Sequence, residues 1–175
     1  FLNGTILYGR ETKADTIVIA SLVDKAKKNG EVNPDSSAFY YKKVIEQCQA
    51  LLHTPSSRKD VIRTLKRKNI EAELGLGLIY YQKLENESAL IHYEHALQLS
   101  KEIDDAYYIA ESLFNFAETY LEQSRYTLAM THYFEALQKF IAIDNQSEIY
   151  WCYIGMGIVQ KRCGNYDDAG ICYKK

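Results

Sequence analysis

The chain has 175 residues, 47% hydrophobic and 25% charged, enough for one or two compact domains or one elongated stack. Its formal net charge of -2 offers no broad attraction for polyanions, so nucleic acid is not expected as a partner of this segment. With only two prolines, long helices are permitted almost throughout.

In chain order, residues 1–11 remain unassigned. The chain opens at Phe1 without an initiator Met and stops at Tyr173-Lys174-Lys175 inside a helical pattern, which suggests a piece of a larger protein. Residues 12–53 read as a divergent helix pair. Its first helix is expected over 15–28, with Asn29-Gly30 as the stop signal. The apolar run over residues 16–23 is bounded by Asp15 and Asp24 and falls far short of the roughly 20 apolar residues of a membrane span. It fits a core-facing helix, so no membrane insertion is expected, and it lacks the basic start and cleavage site of a signal peptide. Pro34-Asp35 starts the second helix, with Ser37, Tyr41 and Val44 along one stripe. His53-Thr54-Pro55-Ser56-Ser57 forms a longer connection, and Ser57-Arg58-Lys59-Asp60 offers a cap for a helix from about 58 to 83.

Residues 57–175 then repeat three times, over about 57–103, 104–143 and 144–175, the last copy truncated. Leu76-Gly77-Leu78-Ile79-Tyr80 with Ala89, Tyr93 and Ala96 aligns without gaps to Phe116-Ala117-Glu118-Thr119-Tyr120 with Ala129, Tyr133 and Ala136. The third copy is Met156-Gly157-Ile158-Val159-Gln160 with Ala169 and Tyr173, and the offset is 40 residues each time (117 − 77 and 157 − 117). Small residues at Gly77, Ala117 and Gly157, and at Ala89, Ala129 and Ala169, let neighbouring helices approach closely. Tyr93, Tyr133 and Tyr173 are expected to fill the gap between successive pairs. Ala89, Tyr93, Ala96 and Leu97 follow the stripe of an amphipathic helix, and one pair cannot cover its own apolar face, so the units must stack.

The residues that could carry chemistry do not assemble into a catalytic set. Cys48, Cys152, Cys163 and Cys172 contain no C-x-x-C pair and read as buried small side chains. His92, His132 and Cys172 share one register position, and equivalent positions on stacked helices lie about 8–10 Å apart, too far for one metal. His92 and His95 are i, i+3 on one helix and could chelate weakly, with a solvated or packed pair the favoured reading. No nucleophile–base–orienter trio and no phosphate-binding glycine loop is present. Neither enzymatic activity nor a cofactor is expected. Asn3-Gly4-Thr5, Asn86-Glu87-Ser88 and Asn145-Gln146-Ser147 match glycosylation sequons, a pattern common by chance.

The repeated small–aromatic–small pattern over about residues 58–175 resembles the tetratricopeptide repeat family. The departures are a 40-residue period in place of 34 and a turn glycine kept only at Gly164, with Leu84 and Ser124 elsewhere. The closing proline is also replaced, by Lys101 and Ile141. The resemblance implies an all-α, right-handed superhelical solenoid of about four helix-turn-helix pairs whose first helices line a concave face. It places Leu74, Leu78 and Tyr81 on that face, then Glu111, Phe114, Asn115, Glu118, Leu121 and Glu122, then Trp151, Ile154, Ile158 and Arg162. Only Asn115 and Arg162 suit the basic carboxylate clamp of some family members, while Glu111, Glu118 and Glu122 oppose it. The expected partner is a protein or peptide with apolar anchors and a positive charge. Asn33-Pro34-Asp35-Ser36-Ser37 and the long pairs joined by Ile103-Asp104-Asp105 look like the sensor segments of membrane-bound regulators in Bacteroidetes bacteria. That resemblance implies a periplasmic segment that receives a peptide or protein signal or mediates self-association. The alternatives are a cytoplasmic peptide-pheromone receptor and an assembly scaffold without a signalling role.

Overall fold

The computed structural model describes residues 2–30, 32–53 and 59–175, with side chains from residue 15 onward. Among them the backbone forms eight helices and no strand: α1 (Leu2–Asn29), α2 (Pro34–Leu52), α3 (Lys59–Gln82), α4 (Asn86–Glu102), α5 (Ala106–Glu122), α6 (Tyr126–Ala142), α7 (Gln146–Arg162) and α8 (Tyr166–Cys172). The fold is the expected all-α solenoid of four helix pairs. No helix among the described residues is long and apolar enough to cross a membrane. The helix expected over 15–28 begins earlier, at Leu2, because no proline interrupts the preceding residues and a helix once nucleated propagates cheaply. At its start α2 follows the sequence signals: Pro34 occupies the first turn and the Asn33 side chain accepts a hydrogen bond from the Ser36 N–H. The cap proposed at Ser57 and the connection over 54–57 lie outside the described residues, as do the side chains of the first sequon.

From α4 onward the chain keeps a beat shorter than the 40-residue repeat. The helices α4, α5, α6 and α7 each have 17 residues, and three-residue links separate them. The middle residue of every link is left-handed: Leu84, Asp104, Ser124, Asp144 and Gly164 have φ of 61, 49, 59, 53 and 83°. In each link the next residue's N–H reaches back to a carbonyl five residues earlier, as Glu85 does to Tyr80 at 2.9 Å and Arg125 to Tyr120 at 2.8 Å. This backbone closure ties off the last carbonyls of each helix whatever the side chain. Glycine is therefore dispensable at these turns, at a strain of about 1 kcal/mol for each substituted position.

Each helix touches its neighbours in sequence, and α1 with α3, α3 with α5 and α5 with α7 also meet. Among the described residues the backbones of the even-numbered helices do not approach one another in this way, so the stack curves with the odd-numbered helices on its inner side. The tyrosines set the spacing. Tyr93 and Tyr133 are 1% and 0% exposed, and the Cβ that an alanine would add at Gly77 or Gly155 would collide with the Tyr93 or Tyr133 ring respectively. Tyr133 shares a core cluster with Ala117 of its own pair while facing Gly155 of the next, so one ring joins two pairs. Burying a side chain of that size contributes about 2–3 kcal/mol.

Candidate functional site

Register positions 71, 111 and 151 (Glu71, Glu111 and Trp151) fall on the odd-numbered helices α3, α5 and α7, with Leu74, Phe114 and Ile154 about one turn on. A cleft of about 340 Å³ opens there, lined by Lys27 of α1, Tyr41 of α2, Glu71, Leu74 and Leu78 of α3, and Tyr107, Glu111 and Asn115 of α5. Four residues expected on this face meet in it: Leu74, Leu78, Glu111 and Asn115. They differ in availability. Leu78 is 46% exposed, whereas Leu74 is 7% exposed and belongs to the core.

The electrostatics of the cleft are uneven. Burial pushes the Glu71 carboxyl up, but Lys68 at 2.8 Å and Lys27 at 3.1 Å outweigh that and hold it below its usual range. Glu111 has no such neighbour. Its burial, reinforced by the charges of Glu148 and Glu71, pushes its carboxyl up to about 7, with only partial relief from Lys27 and the Tyr107 hydroxyl. Lys27 is already paired with Glu71, and among the described residues no cation makes a direct ion pair with Glu111. At neutral pH Glu111 therefore sits near half-ionisation in a partly dry cleft.

Farther along, Glu118 accepts a short hydrogen bond from the Tyr133 hydroxyl; burial raises its carboxyl, the bond lowers it in part, and the Glu122 charge raises it again. Tyr81 is half-buried within electrostatic reach of Glu118 and Glu122. Phe114 meets the Tyr133 ring edge-on at 5.6 Å and so serves packing as much as display. Leu121, Ile154 and Ile158 are partly buried, and Glu122 and Arg162 are exposed, none of them bordering the cleft. Trp151, 51% exposed, meets Tyr150 edge-on at 5.4 Å.

Lys27, Glu71 and Tyr107 escaped the sequence reading. Glu71 was within reach, since it is Glu111 moved back by one 40-residue period (111 − 71). Tyr107 lies one helical turn before Glu111, but nothing local distinguishes it from the tyrosines of the core. A larger space of about 710 Å³ lies between α6 and α7, lined by Tyr126, Met130, Phe134, Met156 and Val159 among others. One repeat earlier, the His132 ring stacks on Phe116 and Tyr120 at 5.4 Å each. The register equivalents of those three are Cys172, Met156 and Gln160, which carry less ring volume.

Comparison with known proteins agrees with this architecture. Residues 69–142 match the tetratricopeptide repeat family. The structure is similar to BtubC (BKLC) from P. vanneervenii over 93% of this chain and 88% of that one, at 13% identity and a TM-score of 0.57. It is also similar to Bacillus thuringiensis PlcR, solved with the peptide PapR7 and DNA, over 92% of this chain and 65% of that one, at 16% identity and a TM-score of 0.55. Comparison with curated proteins gives no match. The family match covers 74 of the 175 residues (142 − 69 + 1), and the two neighbours show a shared fold over nearly the whole chain.

Proposed function

We propose that the inner curve binds an extended peptide or protein segment that places a basic side chain against Glu111 and apolar side chains against Leu78, Phe114 and Trp151. The observation that carries this reading is the largely buried Glu111 carboxyl, raised to about 7 in a cleft where the Tyr107 hydroxyl is its hydrogen-bond partner and no cation among the described residues makes a direct ion pair with it. A cation brought by a ligand would supply the missing charge and hold Glu111 ionised. Glu118 and Glu122 extend the negative potential along the groove and disfavour an acidic or free-carboxylate ligand. PlcR, which shares this fold, was solved in complex with the peptide PapR7, and that supports a peptide as the class of ligand. The sensory segment of a bacterial signalling regulator is the context we favour, because in a solenoid each pair touches only its neighbours and a ligand in the groove can alter the curvature.

The single tryptophan provides the test. A peptide array in which Lys or Arg is flanked by aromatic or aliphatic residues is titrated against the chain, with Trp151 fluorescence and calorimetry as readouts. Binding is expected for basic–apolar peptides. Leu78→Asp and Glu111→Gln should each weaken it about tenfold or more, equivalent to about 1.4 kcal/mol. Affinity should rise from pH 6 to pH 8 as Glu111 ionises. Unchanged binding by both variants with helicity intact would remove the groove from consideration.

A further inference from the structure

The strongest side-chain constellation outside the groove lies between α3 and α4. Glu73 is only 4% exposed, yet it carries a carboxylate into the contact between two helices. One of its oxygens lies 2.6 Å from His92 Nδ1 and the other 3.6 Å from His95 Nδ1. One ligand atom from each of the three residues falls within 4.8 Å of the others. His92 is held in place by stacking on Tyr80, with ring centroids 5.3 Å apart and planes within 4°. His95 is half-exposed and crosses His92 edge-on at 6.2 Å, so a path from solvent leads to the centre of the set.

The sequence register makes this grouping unusual within the chain. The equivalents of Glu73 are Leu113 and Tyr153, and those of His95 are Glu135 and Lys175. The second and third hairpins thus have no carboxylate at the buried position. A buried carboxylate is costly unless a positive charge compensates it, and a repeat whose pattern is otherwise apolar would be expected to drop it. A proton on one imidazole is one compensating charge; a divalent ion shared by all three groups is the other. Two imidazoles and one carboxylate are the donor set of open zinc sites, in which bonds of about 2.0–2.2 Å hold three protein ligands and leave a fourth position for water. The i, i+3 spacing of the histidines presents both rings on one face of α4, and the carboxylate arrives from the facing helix.

We propose that Glu73, His92 and His95 form a binding site for a divalent transition metal, with Zn²⁺ the ion their donor set fits best, which staples α3 to α4. Sequence register alone argued against a metal because it compared equivalent positions on successive repeats. The third ligand comes instead from the other helix of the same hairpin. Filling the site would lock this hairpin and leave the groove residues untouched.

The test uses the full chain, stripped with chelator, in a Cys163→Ser, Cys172→Ser background so that the two accessible thiols do not compete. Calorimetric titration with ZnCl₂ should give one site per chain. Free Zn²⁺ at about a hundredfold excess over Kd should raise Tm by roughly 5 °C or more. The Co²⁺-loaded chain should show d–d bands of a low-coordinate site without sulfur charge transfer. His95→Gln, at an exposed position, should keep the helicity and lower the Zn²⁺ affinity at least tenfold, and Glu73→Gln should abolish the shift in Tm. If Glu73→Gln does not fold, His95→Gln decides the matter. No rise in Tm, an affinity unchanged by His95→Gln, or binding present only while Cys163 and Cys172 remain would each overturn the proposal and leave Glu73–His92 as a hydrogen-bonded pair only.

Discussion

The hairpins α3–α4 and α5–α6 share one 40-residue register and the same turn, although α3 is seven residues longer than α5 (24 − 17), yet they fill the same space with different chemistry. In the first, the buried Glu73 engages His92 and His95. In the second, Leu113 takes the Glu73 place, and His132 stacks on Phe116 and Tyr120 while its Nδ1 lies 3.6 Å from Glu135 Oε2, just beyond hydrogen-bond reach. Burial lowers the pKa of His132 and favours the neutral ring, with the nearby Glu135 and Glu94 opposing in part. The link after each hairpin diverges too. Asp105 is 5% exposed and tied to Arg67 of α3 at 2.6 Å, whereas its equivalent Asn145 accepts a hydrogen bond from the Glu148 N–H at the start of α7. Small residues and tyrosines set the spacing of both hairpins, and that spacing tolerates either an ionic or an aromatic filling. Geometry in this stack is conserved by the backbone and the Gly/Ala–Tyr contacts, and specificity is written around them.

The largest expected effect separates the two fillings. His92→Ala removes the principal partner of a buried carboxylate and should cost about 3 kcal/mol in denaturant unfolding. Glu73→Leu, which copies Leu113 into the first hairpin, should fall within about 1 kcal/mol of the parent in the metal-free chain, or stabilise it. If both variants lose the same amount, the ionic filling is needed for packing itself and the equivalence of the hairpins fails.

Next comes the shared spacing. Gly77→Ala drives a methyl group into the buried Tyr93 ring and should cost about 2 kcal/mol despite the better helix propensity of alanine. At the equivalent Ala117 that methyl group is already accommodated, so Ala117→Gly should lose about 1 kcal/mol from propensity and cavity. Thermal melts of the two variants compare the hairpins directly.

The groove provides a third contrast. The Glu111 carboxyl is raised from its ordinary value to about 7, so the folded state holds a proton that the unfolded chain releases earlier. The resulting penalty is absent below about pH 4.5, grows between there and 7, and is fully present above. Glu111→Gln should therefore stabilise the chain by on the order of 1–2 kcal/mol at pH 8 and by almost nothing near pH 4.5. Glu71→Gln, which removes the partner of Lys27 and Lys68, should not stabilise at either pH. The smallest effect is at the turns. Ser124→Gly and Leu84→Gly relieve a left-handed residue and should each add about 0.5–1 kcal/mol, while Gly164→Ala should lose about 1 kcal/mol.

Much of the architecture is legible in the chain itself. The recurrence of Gly77, Ala117 and Gly157 with Tyr93, Tyr133 and Tyr173 specifies stacked helix pairs, because only a small residue admits a ring at a helix contact and the need recurs at each contact. The 20-residue spacing of the turns was harder to see, since Leu84, Asp104, Ser124, Asp144 and Gly164 share a backbone conformation and no common side chain. Four of the register positions picked from the sequence, Leu74, Leu78, Glu111 and Asn115, border the cleft, but how far each is exposed was not legible. Leu74 and Leu78 lie one turn apart on the same helix, and only the packing of α4 and α5 around α3 decides that one is core and the other exposed. The ionisation of Glu111 and the meeting of Glu73 with His92 and His95 likewise depend on burial and on charges and partners 19 or more positions away in sequence. Periodicity fixes which face a side chain occupies. Its dielectric surroundings and its partners belong to the packed stack.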